Sequence, residues 1–132
     1  MRIVLDTNVV VSAMLNPNGA AGSILNGVLD GYLRLLVDNR IVFEYSDVLQ
    51  RKQFQFNPRD VRAIIDFVRH EAEWVAALPV QNRFEDPDDR VFYEVAVSGN
   101  ADYLVTGNTQ HFPERAMIRS PRQFLRIFFA RE

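Results

Sequence analysis

The sequence predicts an α/β domain of three layers, with helices on both sides of a central parallel sheet. Three observations carry this prediction. Ile3-Val-Leu5 is an apolar run without alternation, the pattern of a strand buried on both faces. Further short apolar runs then alternate with stretches of helical spacing, as in βαβ units. Polar residues also gather where the apolar runs stop, at the edge where open α/β sheets bind ligands.

The elements follow in order. Asp6-Thr7-Asn8 closes the first strand, and Asn16-Pro-Asn-Gly19 is a turn signal. From Ala20 to Leu29, Ile24, Leu25, Val28 and Leu29 recur at helical spacing until Gly31 stops the pattern. Leu33 to Val37 reads as the second strand, after which Asp38-Asn39 can cap a helix carrying Val42, Phe43, Val48 and Leu49. Arg51-Lys-Gln-Phe-Gln-Phe56 interrupts with mixed charge and aromatics.

Asn57-Pro58 then pairs an N-cap with proline at the first helical position, opening a helix to about Glu73 with Val61, Ile64, Ile65 and Val68 on one face. His70, near its end, reads as a partner of the helix dipole or a surface residue. Trp74 to Leu78 is expected as the third strand, ended by Pro79. Trp74 reads as core filling there, and as a base-stacking platform only if partly exposed.

Val91 to Val97 is helical and ends at Ser98-Gly-Asn100; Ala101 to Thr106 is the fourth strand, with a turn at Gly107-Asn108. Phe112-Pro-Glu-Arg115 is loop, and Ala116 to Ile118 is expected as the fifth strand. Ser120-Pro121 starts a last helix whose Phe124, Leu125 and Phe128 can dock.

A length of 132 residues suits one domain spanning 1–132, and at this size folding buries roughly two-thirds of the unfolded surface. The absence of Cys excludes disulfide scaffolding and thiolate chemistry, and permits a reducing compartment. With two His in all, His70 and His111, a His-rich metal site is excluded, so any metal would be held by oxygen. No apolar stretch approaches the roughly 18 to 20 residues that span a bilayer, and Met1 leads directly into a buried-type strand, so a cytoplasmic protein without membrane partners is expected. A net charge of −2 gives no long-range pull on nucleic acid. Of fifteen basic residues only Lys52 is lysine; arginine suits bidentate phosphate contacts, although it is equally an ordinary surface choice.

The candidate chemistry lies in acids at element ends. Asp6 alone is no site, because Asp also serves turns and caps. Glu44 sits at the boundary of its helix's buried stripe, where a solvated surface acid is the plain alternative. Asp86, Asp88 and Asp89 crowd the start of the Val91–Val97 helix. Capping requires only one of them. A pair of carboxylates about 4 Å apart in a partly screened site costs on the order of 4 kcal/mol, whereas a helix N-terminus returns at most about 2 kcal/mol. That imbalance favours a bound cation.

Leu5-Asp-Thr-Asn8, Phe43-Glu-Tyr-Ser-Asp-Val-Leu49, Asp86-Pro-Asp-Asp89 with its apolar helix, and Tyr103-Leu-Val-Thr-Gly-Asn108 resemble, in this order, the motifs of the PIN-domain family. The resemblance is nearest to the small single-domain toxin–antitoxin components related to VapC-type toxins. It runs from Arg2 to about Leu125, where Ile118-Arg-Ser-Pro-Arg-Gln-Phe-Leu125 is similar to the family's closing strand and helix. Each motif alone is weak; the order and spacing are what is specific.

The resemblance implies strand order 3-2-1-4-5 and a metal-dependent nuclease acting on RNA, by hydrolysis of the phosphodiester with metal-activated water. Asp6, Glu44, Asp89 and Asn108 would be its catalytic residues. Asp6, Asp89, Glu44 and Asp86 would hold Mg²⁺ or Mn²⁺, the hard cations that oxygen donors select. Asn8, Thr106 and Asp88 would support them, Asn8 and Thr106 by orienting carboxylates. The choice among Asp86, Asp88 and Asp89 stays open by one register step, with Asp89 favoured.

Asn108 departs from the family pattern, since many relatives carry Asp there. It would ligate without adding charge and weaken a second ion. For that reason a catalytically silent PIN-like module binding RNA or protein is the alternative. A phosphoacceptor domain also places Asp after the first strand, but it needs a further acid in that turn and a later Lys, which Thr7-Asn8 and a single lysine do not provide. The resemblance further implies an antitoxin covering the acidic cleft, and a homodimer through helices around Ala20–Leu29 and Pro58–Val68.

Overall fold

The computed structural model describes residues 1–130. Five strands, β1 (Arg2–Leu5), β2 (Arg34–Val37), β3 (Glu73–Trp74), β4 (Tyr103–Val105) and β5 (Ile118–Arg119), form one sheet in the order β3-β2-β1-β4-β5, parallel throughout. This is the order the resemblance implied. Ile3, Val4 and Leu5 are fully buried in the central strand, as an unalternating apolar run requires.

Six helices flank the sheet: α1 (Thr7–Leu15), α2 (Ala20–Leu29), α3 (Asn39–Leu49), α4 (Pro58–Glu71), α5 (Pro87–Ser98) and α6 (Pro121–Ala130). α2 packs on α1 and α6, α3 on α4, and α5 lies against β1, β2 and β4. Their caps are those the sequence signals. Asp38 accepts from the Ile41 amide at 3.0 Å and Asn57 from the Arg59 amide at 2.8 Å. Ser120 and Gln123 cap α6 reciprocally: the Gln123 amide donates to Ser120 Oγ at 3.2 Å, and the Ser120 amide to Gln123 Oε1 at 2.9 Å. Gly22 lets α2 pass close to the backbone of Pro17, where an added Cβ would lie 2.0 Å from the carbonyl oxygen.

Several expectations need correction. β4 spans Tyr103–Val105 rather than Ala101–Thr106, and α5 begins at Pro87 rather than Val91. The sequence pattern signals no helix after Asp6, yet α1 begins at Thr7; its Val9, Val10 and Ala13 are buried, but neighbouring Val11 and Leu15 blur the stripe. β3 spans Glu73–Trp74 rather than Trp74–Leu78, with one further ladder bond from the Val75 amide to the Val37 carbonyl at 2.8 Å. β5 spans Ile118–Arg119 rather than Ala116–Ile118, because its register is set by β4. Trp74 is not core: it lies on the edge strand, 46% exposed, its indole donating to the Arg69 carbonyl at 3.2 Å. Among the described residues no helix is long and apolar enough to cross a membrane.

Candidate metal centre

The parallel register sets the site. Leu5 pairs with Val105, so Asp6 and Thr106 stand side by side where the two central strands end, and the Asp6 amide extends the ladder to the Val105 carbonyl at 3.0 Å. Asp6 is only 6% exposed, and Thr106 is fully buried. The Thr106 hydroxyl donates to Asp6 Oδ2 at 2.8 Å and itself accepts from the Asn108 amide at 3.0 Å. Asn8, in the first turn of α1, donates to Asp6 Oδ2 at 3.3 Å and accepts from the Gly107 amide at 3.0 Å, tying that turn to the loop after β4.

Glu44 arrives from α3. The buried Tyr45 hydroxyl donates to the Leu5 carbonyl at 2.5 Å and fastens the helix to the end of β1. Burial, with Asp6 and Glu44 nearby, pushes the Tyr45 phenol well above its usual range, so it stays a donor. Glu44 in turn accepts from the Thr7 hydroxyl. The acids of α5 approach from the opposite side. Asp86 is the N-cap, accepting from the Asp88 amide at 2.9 Å, which leaves Asp88 and Asp89 free of capping duty. His111, in the turn after β4, places Nδ1 3.6 Å from Asp89 Oδ2.

These groups share one cleft of about 1080 Å³, lined by Asp6, Glu44, Asp86, Asp88, Asp89 and Asn108 among others. Their charges are felt mutually. Burial raises the Asp6 carboxyl, opposed by the Thr106 hydroxyl and the nearby Thr7 and Asn8 amides, and the charge of Asp86 raises it further. Burial likewise raises Glu44, against the Thr7 hydroxyl and with Asp88, Asp6 and Asp86 adding to the rise. Asp89 is pushed up to about 6, first by burial and then by the charge of Asp6. Arg40, a cation of the wall, is already engaged by Asp38 at 2.7 Å and Glu94 at 2.8 Å.

The donors are therefore carboxylate and amide oxygens, gathered at a cost that a divalent ion would relieve. Among the described residues no three of the acids and histidines converge tightly enough to hold an ion by themselves. Mg²⁺ takes only one or two direct carboxylates and keeps several waters, so this looser arrangement fits it. Every residue singled out from the sequence reaches the cleft or touches one that does. Three further residues carry no site signal of their own in the sequence: Thr7 and Tyr45 stand there only within motifs, and His111 reaches Asp89 only through the turn after β4.

A five-stranded parallel sheet with an acid-lined cleft over the carboxyl ends of its central strands defines an α/β protein of the ligand-binding type. The chain belongs to the PIN-domain family, whose model, described as PIN domain, matches residues 2–110. Among solved structures it is similar to a chain of the crystal structure of VapBC2 from Rickettsia felis bound to a DNA fragment from their promoter. That similarity has 18% identity and a TM-score of 0.55, covering 83% of this chain and 90% of the other. At that identity the likeness speaks to the fold. No curated protein matches the chain.

Proposed function

We propose that this PIN domain is a divalent-metal-dependent endoribonuclease and the toxin of a toxin–antitoxin pair. The observation that carries the reading is the buried Asp6 carboxylate, in one open cleft with Glu44, Asp86, Asp88 and Asp89, none of which has an Arg or Lys partner among the described residues. An ion bound there supplies water activation and stabilises the charge that develops on the phosphate. In this reading Asp6, Asp89, Glu44 and Asp86 would hold Mg²⁺ or Mn²⁺.

The remaining residues position and exclude. Thr106 and Asn8 fix the rotamer of Asp6, Thr7 that of Glu44 while Tyr45 anchors α3 to the end of β1, and Asp88 adds to the charge of the rim. Asn108 presents an amide oxygen without a charge. His111 beside Asp89 is placed to hold or pass a proton at the carboxylate. A toxin's cleft would be covered by an antitoxin before release, and the fold likeness to a VapBC2 chain supports that partner. A homodimer through α2 and α4 and a cytoplasmic location belong to the same reading.

Titration with Mn²⁺ by calorimetry, paired with an RNA cleavage assay, tests the proposal. Saturable Mn²⁺ binding with cleavage that disappears in Asp6→Asn is expected. Mn²⁺ binding without cleavage would favour the second reading, a catalytically silent RNA- or protein-binding module, which the uncharged Asn108 supports.

A further inference from the structure

Six large apolar side chains are exposed among the described residues, and of these Phe43 alone lines the acidic cleft. It is 72% exposed. The other apolar residues of α3 have their place: Ile41, Val42, Tyr45 and Leu49 are buried. Phe43 instead stands beside Glu44 on the cleft side. Arg40, Phe43, Glu44, Asp47 and Val48 all border the cleft, at steps of three and four, so one whole face of α3 forms its wall, and Arg51 just beyond the helix continues it.

Phe43 lies in the first half of α3, and Arg51 follows two residues beyond its last residue, Leu49, so the wall continues past the helix end. Arg51 is half exposed, and its one ion-pair partner among the described residues, Asp47 at 3.4 Å, is exposed too and four residues back in sequence, and holds it weakly. Beyond it the chain turns through the segment of mixed charge and aromatics singled out in the sequence. There Phe54 also lines the cleft, stacked on Phe56 with centroids 5.4 Å apart and planes 12° apart. From Glu44 outward the wall thus carries Phe43, the Asp47–Arg51 pair and Phe54, two aromatics with a loosely held guanidinium between them.

Aromatics interleaved with a weakly held guanidinium suit a single-stranded polynucleotide, whose bases stack on rings while its phosphates meet cations. We infer that this wall of α3 is a track for single-stranded RNA, with Phe43 stacking on a base next to the cleaved phosphodiester and Arg51 and Phe54 holding the following phosphate and base. The inference rests on the ribonuclease reading for its direction along the cleft. A duplex, with its bases already stacked on each other, has nothing to offer Phe43.

The test is fluorescence anisotropy of a labelled single-stranded oligoribonucleotide, using the full chain in an Asp6→Asn background so that binding is read without turnover. Phe43→Ala should weaken binding by about tenfold, the equivalent of losing one stacked base, while Phe43→Trp restores it. Arg51→Ala should weaken binding and make its salt dependence shallower by about one phosphate contact. A hairpin duplex should bind more weakly and ignore Phe43→Ala. Because Phe43 is exposed, the melting temperature should not move, which excludes a folding defect as the cause.

Affinity for the single strand that is indifferent to Phe43→Ala overturns the track, and is the result expected if the surface serves a protein partner. The nuclease reading fails separately. Phe43-dependent binding by a protein that cleaves no RNA in Mn²⁺ keeps the track and removes the catalysis, whereas cleavage with Phe43-independent binding does the reverse.

Discussion

The Thr106 hydroxyl donates to Asp6 Oδ2 at 2.8 Å across one hundred residues of sequence, and it does so because β1 and β4 lie in register with Leu5 opposite Val105. The bond holds a buried carboxylate in one rotamer and favours its charged form. Thr106→Val keeps the shape and removes the donor. It should weaken Mn²⁺ binding by roughly 10-fold, within the range seen for partners of metal ligands, and calorimetry reads this directly. Thr106→Ser should recover most of the affinity. Equal affinity in all three proteins would show that the hydroxyl does not orient Asp6.

Removing the central charge should help the metal-free fold. Burial raises the Asp6 carboxyl above its usual value, so ionised Asp6 is a net cost to the native state without a cation. Asp6→Asn should therefore melt at the same temperature or higher in chelator, and gain nothing from Mn²⁺, while the parent protein is stabilised by the ion. Differential scanning fluorimetry in both buffers checks it. A lower melting temperature in chelator would mean that Asp6 is structural.

The acids also set a pH window. Asp89 is pushed up from 3.8 to about 6 by burial and by Asp6, so the stability linked to its neutral form is complete below 3.8 and lost as pH rises through about 6. Asp6 and Glu44 are displaced in the same direction. The melting-temperature gain from Mn²⁺ should consequently grow as pH is raised from about 4 to about 7. In Asp89→Asn the growth should be smaller. A gain independent of pH would sink the idea that these carboxylates compete with protons for the ion.

Glu94 has a different task. It is 5% exposed on α5, receives Arg40 of α3 at 2.8 Å, and accepts from the Val80 amide at 3.0 Å, so it fixes the segment leading to Asp86. Burial alone would raise its carboxyl, but Arg40 and the Val80 amide together hold it below the usual 4.5. Its contribution is therefore present above 4.5 and lost as pH falls through the lower folded value. Arg40 is nearly half exposed, which tempers the effect. Glu94→Ala should cost about 1 to 3 kcal/mol, readable as a lowered urea midpoint, whereas Glu94→Gln should cost less.

Asn108 bears on ion number. Asn108→Asp adds a carboxylate to the cleft. It should lower the metal-free melting temperature and strengthen Mn²⁺ binding, with a second binding event in calorimetry if two ions are accommodated. An unchanged isotherm would place residue 108 outside the coordination set.

Much of this was legible in the chain. The unalternating Ile3–Leu5 run, the caps Asp38, Asn57 and Ser120, and the acids at element ends are local signals, because burial on two faces and unpaired amides at helix starts constrain residue type within a few positions. Other features were not legible. α1 hides behind a mixed apolar pattern, and the two-residue strands β3 and β5 take their ends from neighbours rather than from their own residues. Trp74 looked like core because large apolar residues usually are, and only its place on an edge strand leaves it in water.

The sequence by itself determined the supply: an α/β chain with oxygen donors, almost no histidine and no cysteine, whose family motifs run in order. Tertiary structure decided the meeting. The parallel register sets Thr106 against Asp6, Tyr45 pins α3 so that Glu44 takes the Thr7 hydroxyl, and the turn after β4 carries His111 to Asp89. The reason is physical. Hydrogen bonds and charge repulsion act over a few ångströms of space, and only the register of the strands converts residues a hundred positions apart into neighbours at that distance.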